Sequence, residues 1–205
     1  DSVLECKNLT KKYFNKTALD NVNLTLPKGS IVGLLGPNGS GKTTLIKLIE
    51  GLLTPTKGEI ITCGFKPGAE SKELVAYQPD KDYLNDWMNV KQLIKMMSDF
   101  YKNFNADKAY DMLNRLNIEP AQKLKSMSKG TKEKVQLILT MSRETPLYLL
   151  DEPIGGVDPA ARDYILNTII SNYSEDSTVL ISTHLISDVE SVLNSLVNVV
   201  SDKLA

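Results

Sequence analysis

The sequence predicts an α/β fold: a mostly parallel sheet, an N-terminal antiparallel β region and an inserted helical subdomain. Three observations carry this. Strand-like apolar runs alternate with helix-like segments in the first and last thirds of the chain, the pattern of parallel strands joined by helical crossovers. From about Tyr83 to Arg143 the periodicity is helical, with no strand between the helices. A glycine-rich turn, Gly36 to Thr43, sits between an apolar strand and a helix. A chain of 205 residues fits a single domain. The expected division is a core of residues 1–82 and 144–205, with the N-terminal β region, and a helical subdomain of residues 83–143.

Each element has its own reason. Val3–Cys6 and Val22–Leu26 alternate with period two, as half-buried strands do. Pro27-Lys28-Gly29 is a turn, and Ile31–Leu35 is a short apolar run that predicts a buried strand. Leu45, Leu48, Ile49 and Leu52 recur at helical spacing, and Gly51 with Thr54-Pro55-Thr56 ends that helix. Glu59–Thr62 and Leu74–Tyr77 read as strands. Val90–Tyr101 and Ala106–Leu116 read as helices, and a third runs from Ser128 to about Arg143. Strands resume at Leu147–Leu150, Val179–Ser182 and Leu196–Val200, separated by helices over Pro159–Tyr173 and Leu185–Leu193.

Composition narrows the function classes. Hydrophobic residues are 41% and charged residues 24%, which excludes a disordered tail or a disulfide scaffold. Twenty-four basic residues against 25 acidic ones leave no excess charge to hold a phosphate backbone, so no nucleic-acid partner is expected. Cys6 and Cys63 match no metal spacing and read as reduced thiols of a cytosolic protein. No window approaches 18 apolar residues, so no membrane span is expected. The opening DSVLECKNLT is not expected to be a signal peptide.

Gly36-Pro37-Asn38-Gly39-Ser40-Gly41-Lys42-Thr43, followed by Thr44, matches the phosphate-binding pattern G-x-x-x-x-G-K-[ST]. Glycines let successive N–H groups converge on an anion, and the helix N-terminus adds partial positive charge. Lys42 is expected to reach the β- and γ-phosphates, and the Thr43 hydroxyl to ligate Mg2+. The strand Leu147–Leu150 ends in Asp151 and Glu152. Ligands collect at the carboxyl ends of parallel strands, so Asp151 is expected beside the phosphate loop as a metal-site carboxylate. Glu152 is then placed to polarise an attacking water.

Phosphate-loop proteins include GTPases, kinases, helicases and transport ATPases. A guanine-reading N-K-x-D is missing in a suitable place, since Asn15-Lys16-Thr17-Ala18 precedes the loop and lacks the Asp. The remaining motifs are Gln78 after a strand, Ser128-Lys129-Gly130-Thr131 at a helix start, Gly155-Gly156-Val157-Asp158 after Glu152, and the lone His184 after an apolar run. In that order they resemble the nucleotide-binding domain of ABC transporters, and the resemblance runs from Tyr13 to about Val200. It implies that Tyr13 stacks on adenine, that Gln78 contacts Mg2+ and the attacking water, and that His184 contacts the γ-phosphate. It further implies that Asp158 lies on a loop crossing a dimer interface. The family signature Leu-Ser-Gly-Gly-Gln is Met127-Ser128-Lys129-Gly130-Thr131 here: Ser128 and Gly130 are kept, Lys129 adds a cation, and Thr131 is shorter than Gln. Ser128 is also a good helix N-cap.

The resemblance implies a dimer, with each ATP between the phosphate loop of one subunit and the Ser128 segment of another, identical or different. It implies an ATPase that drives a separate transmembrane permease from the cytoplasmic face of the membrane. The motif wording is similar to bacterial ABC-2 exporters of peptides, drugs or lipids. Tyr83, Leu84, Trp87 and Met88 are the expected contact patch for the permease if they are exposed together; the alternative for them is that they pack inside the helical subdomain. The alternative is a soluble ABC ATPase in translation or DNA repair. The interval from Gln78 to Asp151 is too short for the long coiled coil of the repair proteins, and translation factors usually join two cassettes in one chain.

Overall fold

The computed structural model describes residues 1–193 and 197–200, with only the backbone for residues 191–193 and 197–200. Two compact units divide the chain. The first holds Asp1–Asp80, Thr145–Gly155 and the chain from Tyr173 onward, and the second holds Lys81–Glu144 and Gly156–Asn172.

In the first unit, β1 (Ser2–Tyr13) and β2 (Lys16–Pro27) form a long antiparallel hairpin, and β4 (Lys57–Thr62) adds to β1 in the order β2-β1-β4. These strands reach well beyond the expected Val3–Cys6 and Val22–Leu26. The register shifts between Cys6 and Leu9, and Asn8 and Asn21 take positive φ of 52° and 53°. Such irregularities break the two-residue alternation that reveals a strand, and asparagine tolerates that backbone.

A second sheet is parallel throughout, in the order β5-β6-β7-β3-β8: Val75–Gln78, Leu147–Asp151, Thr178–Thr183, Ile31–Leu35 and Val197–Val200. Of the last expected strand, Leu196 lies outside the described residues. β3, β6 and β7 are buried along their whole length, as central parallel strands are. One cluster of buried side chains, including Leu9, Leu26, Leu34, Leu45, Ile49, Leu149 and Leu180, joins both sheets to α1 (Lys42–Glu50). Two short segments complete the unit's helices: α2 (Ala69–Glu73), too short to show a periodicity, and α7 (Ile186–Leu193).

The second unit is helical, with α3 (Val90–Phe100), α4 (Ala106–Arg115), α5 (Lys129–Met141) and α6 (Pro159–Asn172). Its helices start where side chains satisfy the free backbone N–H groups. Asn89 accepts from Gln92 N in a reciprocal capping box, and Asn105 accepts from Lys108 N at 3.0 Å. Asp158 Oδ1 accepts from Ala161 N at 2.8 Å, with Pro159 as the first residue of α6.

Candidate nucleotide site

The phosphate loop joins β3 to α1. Gly36 N donates to the Thr183 carbonyl at 3.3 Å, which ties the loop to the end of β7. Gly41, the N-cap of α1, has a φ of 99°. A Cβ there would stand 2.6 Å from the Ala18 carbonyl oxygen, so the loop can approach β2 only with glycine at this position. Lys42 is 5% exposed. Its Nζ donates to the carbonyls of Gly36 at 2.6 Å and Pro37 at 2.8 Å, and to Ser40 Oγ at 3.3 Å. Burial pulls its pKa below the ordinary lysine value, and the charges of Glu152 and Asp151 oppose that shift. An open cleft of about 280 Å³ lies over the loop, lined by Tyr13, Lys16, Ala18, Asn38, Gly39, Gly41, Lys42, Thr43, Thr44, Asp80 and Glu152. Tyr13 is 45% exposed at the end of β1, with Lys11 Nζ 5.2 Å from its ring centre.

The acidic end of β6 falls between β5 and β7, where Leu150 pairs with Gln78 and Asp151 with Ser182. Asp151 is 1% exposed, and Ser182 Oγ donates to its Oδ1 at 2.5 Å. Burial raises the Asp151 pKa above the usual carboxylate range. The Ser182 and Thr43 hydroxyls work against that rise, and the charges of Asp80 and Glu152 add to it. Glu152 holds a positive φ of 49°, rare for a side chain of this size. Its N–H donates to Ser182 O at 3.0 Å and lies 3.1 Å from Ser182 Oγ. Its Oε1 accepts from His184 N at 2.7 Å and pairs with His184 Nδ1 at 2.8 Å. The other oxygens have no protein partner: Gln78 Oε1, Asp151 Oδ2 and Glu152 Oε2 are all buried without a hydrogen bond. Unpaired buried acceptors are uncommon and costly.

Those oxygens test the fit of Mg2+. Thr43, Asp151 and Gln78 supply hydroxyl, carboxylate and amide oxygens, the hard donors that Mg2+ takes. Among the described residues no cluster of three or more His, Cys, Asp or Glu could hold a metal by itself. The residues fit.

In the helical unit a second cleft, of about 440 Å³, is lined by Ser128, Lys129, Gly130, Thr131, Lys134, Gly156, Val157, Asp158, Ala160, Ala161 and Tyr164. Ser128 caps α5: its Oγ accepts from Thr131 N at 3.2 Å and lies 2.9 Å from Thr131 Oγ1. A Cβ on Gly130 would lie 3.4 Å from Ala161 Cβ, which marks the packing of α5 on α6. Gly156 has a φ of 76°, and a Cβ there would stand 2.7 Å from Lys129 Nζ. The lysine of the altered signature thus lies over a position with no side chain.

The structure therefore brings Tyr13, residues 36–44, Asp151, Glu152 and His184 together in the first unit, with Gln78 on the strand beside Asp151. It gathers Ser128–Thr131 and Asp158 in the second. Sequence reasoning missed Ser182, Lys16 and Asp80. Ser182 was visible as the polar end of an apolar strand, but its partner follows only from the β6–β7 register. Asp80, two residues past Gln78, carried a signal in that spacing alone.

An alternately wound parallel sheet with a phosphate loop, an acidic strand end and a glutamate–histidine pair defines a P-loop nucleoside triphosphatase. The ABC transporter family model matches residues 19–155, so the chain belongs to that family, as an ATP-binding, ATP-hydrolysing domain. It is 32% identical over 197 residues to the ABC transporter ATP-binding protein YtrB of Bacillus subtilis (strain 168), spanning 95% of this chain and 68% of the relative. It is 31% identical over 188 residues to the SkfA peptide export ATP-binding protein SkfE of the same strain, spanning 89% of this chain and 79% of the relative. A solved structure of an ATP-binding subunit of an ABC transporter superposes with a TM-score of 0.81 at 30% identity, over 93% of this chain and 82% of that one. No helix among the described residues is long and apolar enough to cross a membrane.

Proposed function

We propose that this subunit powers a separate transmembrane permease, from the cytoplasmic face of a bacterial membrane, by closing with a second ATPase subunit around ATP. The cargo class is a peptide, drug or lipid, and the direction is export. SkfE, named for peptide export, supports that direction. The observation that carries the reading is the set of three buried, unpartnered oxygens on Gln78, Asp151 and Glu152 at the strand ends beside the phosphate loop.

Each residue then has a task. The Tyr13 ring stacks on adenine. The N–H groups of residues 36–44 cradle the triphosphate, and Lys42 leaves the loop carbonyls for the β- and γ-phosphate oxygens. Thr43, Asp151 and Gln78 would hold Mg2+, which when bound would supply charge neutralisation for the triphosphate. Glu152 Oε2 takes the proton of the water that attacks phosphorus, while Oε1 stays tied to His184. That bond assigns Nδ1 to the carboxylate and leaves Nε2 as the nitrogen that meets the γ-phosphate.

Ser128, Lys129, Gly130 and Thr131 meet the nucleotide of the other subunit, an anion at a helix N-terminus. The Asp158 loop follows the interface between the subunits. Residues 83–143 form the subdomain that receives the permease. Tyr83 and Trp87, 49% and 65% exposed, offer it amphipathic contact. ATP-dependent closure and release by hydrolysis make the chemistry a conformational switch.

The test is turnover of the purified chain at increasing protein concentration. Specific activity should rise with concentration, because an isolated subunit has an incomplete site. Specific activity that is flat from dilute to concentrated protein contradicts the shared site.

A further inference from the structure

Residues 81–88 open the second unit and carry Tyr83 and Trp87. Backbone hydrogen bonds tie this segment to the chain just before Ser128: Lys125 N donates to the Asp86 carbonyl at 2.9 Å, and Leu124 N to the Met88 carbonyl at 3.0 Å. Side chains tie it to α5. Lys132 Nζ pairs with Asp86 Oδ1 at 3.0 Å, and Gln136 Nε2 donates to the Lys81 carbonyl at 3.5 Å. On α5, between Lys132 and Gln136, stands Glu133. It is half-buried, and among the described residues its carboxylate has no hydrogen bond or ion pair. The charges that act on it are Asp82 of the same segment and Lys129, one turn earlier on α5; none comes from α3, α4 or α6. Two carboxylates thus meet on a seam whose other polar contacts are attractions. Such a pair is unfavourable in a partly desolvated place unless one member carries a proton. Burial first, and then the Asp82 charge, raise Glu133 to about 7, while Lys129 opposes the rise. A carboxyl raised by packing holds that packing best when neutral. Its hold is full below the ordinary carboxylate range and is lost as pH rises through about 7.

We propose that Glu133 is a proton switch on this seam: when neutral it lets residues 81–88 lie against α5 and the Ser128 helix start, and when ionised it repels Asp82 and loosens the segment. The switch needs no nucleotide. What it would regulate, the presentation of Tyr83 and Trp87 to the permease, rests on the reading above.

The test is hydrogen–deuterium exchange of the nucleotide-free chain from pH 5.5 to 8.5, expressed as protection so that the intrinsic pH dependence of exchange is removed. The Leu124 and Lys125 amides report the seam. The Lys108 amide, which donates to Asn105 Oδ1 at the start of α4, reports the rest of the unit. His184, the one histidine, lies in the first unit. Protection of Leu124 and Lys125 should fall about tenfold with rising pH in the parent and stay level in Glu133→Gln, while Lys108 changes by less than about twofold. Asp82→Asn should shrink the fall to about threefold, since a half-solvated like charge is removed. Lys132→Ala should lower protection of Lys125 at every pH and keep the fall. Protection that is flat in the parent overturns the proposal, as does a fall that survives Glu133→Gln. A fall shared equally by Lys108 overturns it too, because a merely structural carboxyl would give that result. None of these outcomes touches the nucleotide reading, whose failure would appear instead as a chain that binds no ATP.

Discussion

The two clefts of this molecule are built on opposite plans. The phosphate-loop cleft rests on buried charge: Lys42 at 5% and Asp151 at 1% exposure, each held by short hydrogen bonds, with Glu152 on a strained backbone. The Ser128 cleft is an exposed helix start, with a lysine lying over a glycine and one hydroxyl already spent on its own cap. One is set before its ligand arrives, as preorganised electrostatic catalysis requires. The other offers adaptable donors, which suits the proposed meeting with the nucleotide of a second subunit. The difference teaches that changes in the first cleft should alter chemistry in each subunit, and changes in the second should alter pairing.

The largest effect tests the chemical half. Glu152→Gln removes the proton acceptor and keeps the shape, so steady-state turnover should fall about 10²- to 10⁴-fold. ATP affinity by calorimetry should stay within about threefold, since the carboxylate acts on the water and not on the nucleotide. Equal losses in both would erase the distinction between the clefts.

Next comes Ser128→Arg, which crowds the helix start. Turnover should fall about 10²-fold, the scale of losing one donor to the developing charge. ATP binding to the monomer should be unchanged, because the first cleft is untouched. A matching loss of monomer affinity would show that Ser128 serves its own subunit.

A smaller effect falls on stability. Gly156→Ala forces a side chain onto a φ of 76°, at a cost of about 1–2 kcal/mol. Each kcal/mol in a chain of this size lowers Tm by about 2–4 °C. Lys129→Ala should not restore the loss, since the lysine end can swing away but the backbone cannot. Full rescue would mean that contact with Lys129, and not φ, sets the need for glycine.

The last effect is a pH dependence in the helical unit. Burial raises Glu133 to about 7, the Asp82 charge adds to the rise, and Lys129 opposes it. A carboxyl raised on folding favours the folded state when protonated. Its contribution is full below the ordinary carboxylate pKa and is lost as pH rises toward 7. Glu133→Gln should therefore raise Tm relative to the parent at pH 8 and leave it unchanged at pH 4. A difference independent of pH would remove the titration from the account.

Much of this was legible because local chemistry repeats in the fold. Residues 36–44 sit on a strand–helix junction whose apolar runs announce themselves. Asp151 and Glu152 end a strand buried along its whole length, and Ser128 is a cap by its residue type. The unread parts depend on pairing. The antiparallel β region was legible, but the full length of β1 and β2 hid behind the irregularities at Asn8 and Asn21. The Ser182–Asp151 bond exists only through the β6–β7 register. Gly156 meets Lys129 across the chain, so neither residue explains the other in sequence. Asp80 gained meaning only once β5 lay beside β6.

Light scattering of the Glu152→Gln protein, with and without Mg-ATP, tests the central claim most directly. The account predicts a monomer without nucleotide and a dimer with it. A protein that binds Mg-ATP fully and remains monomeric at every concentration would contradict closure of two copies around ATP.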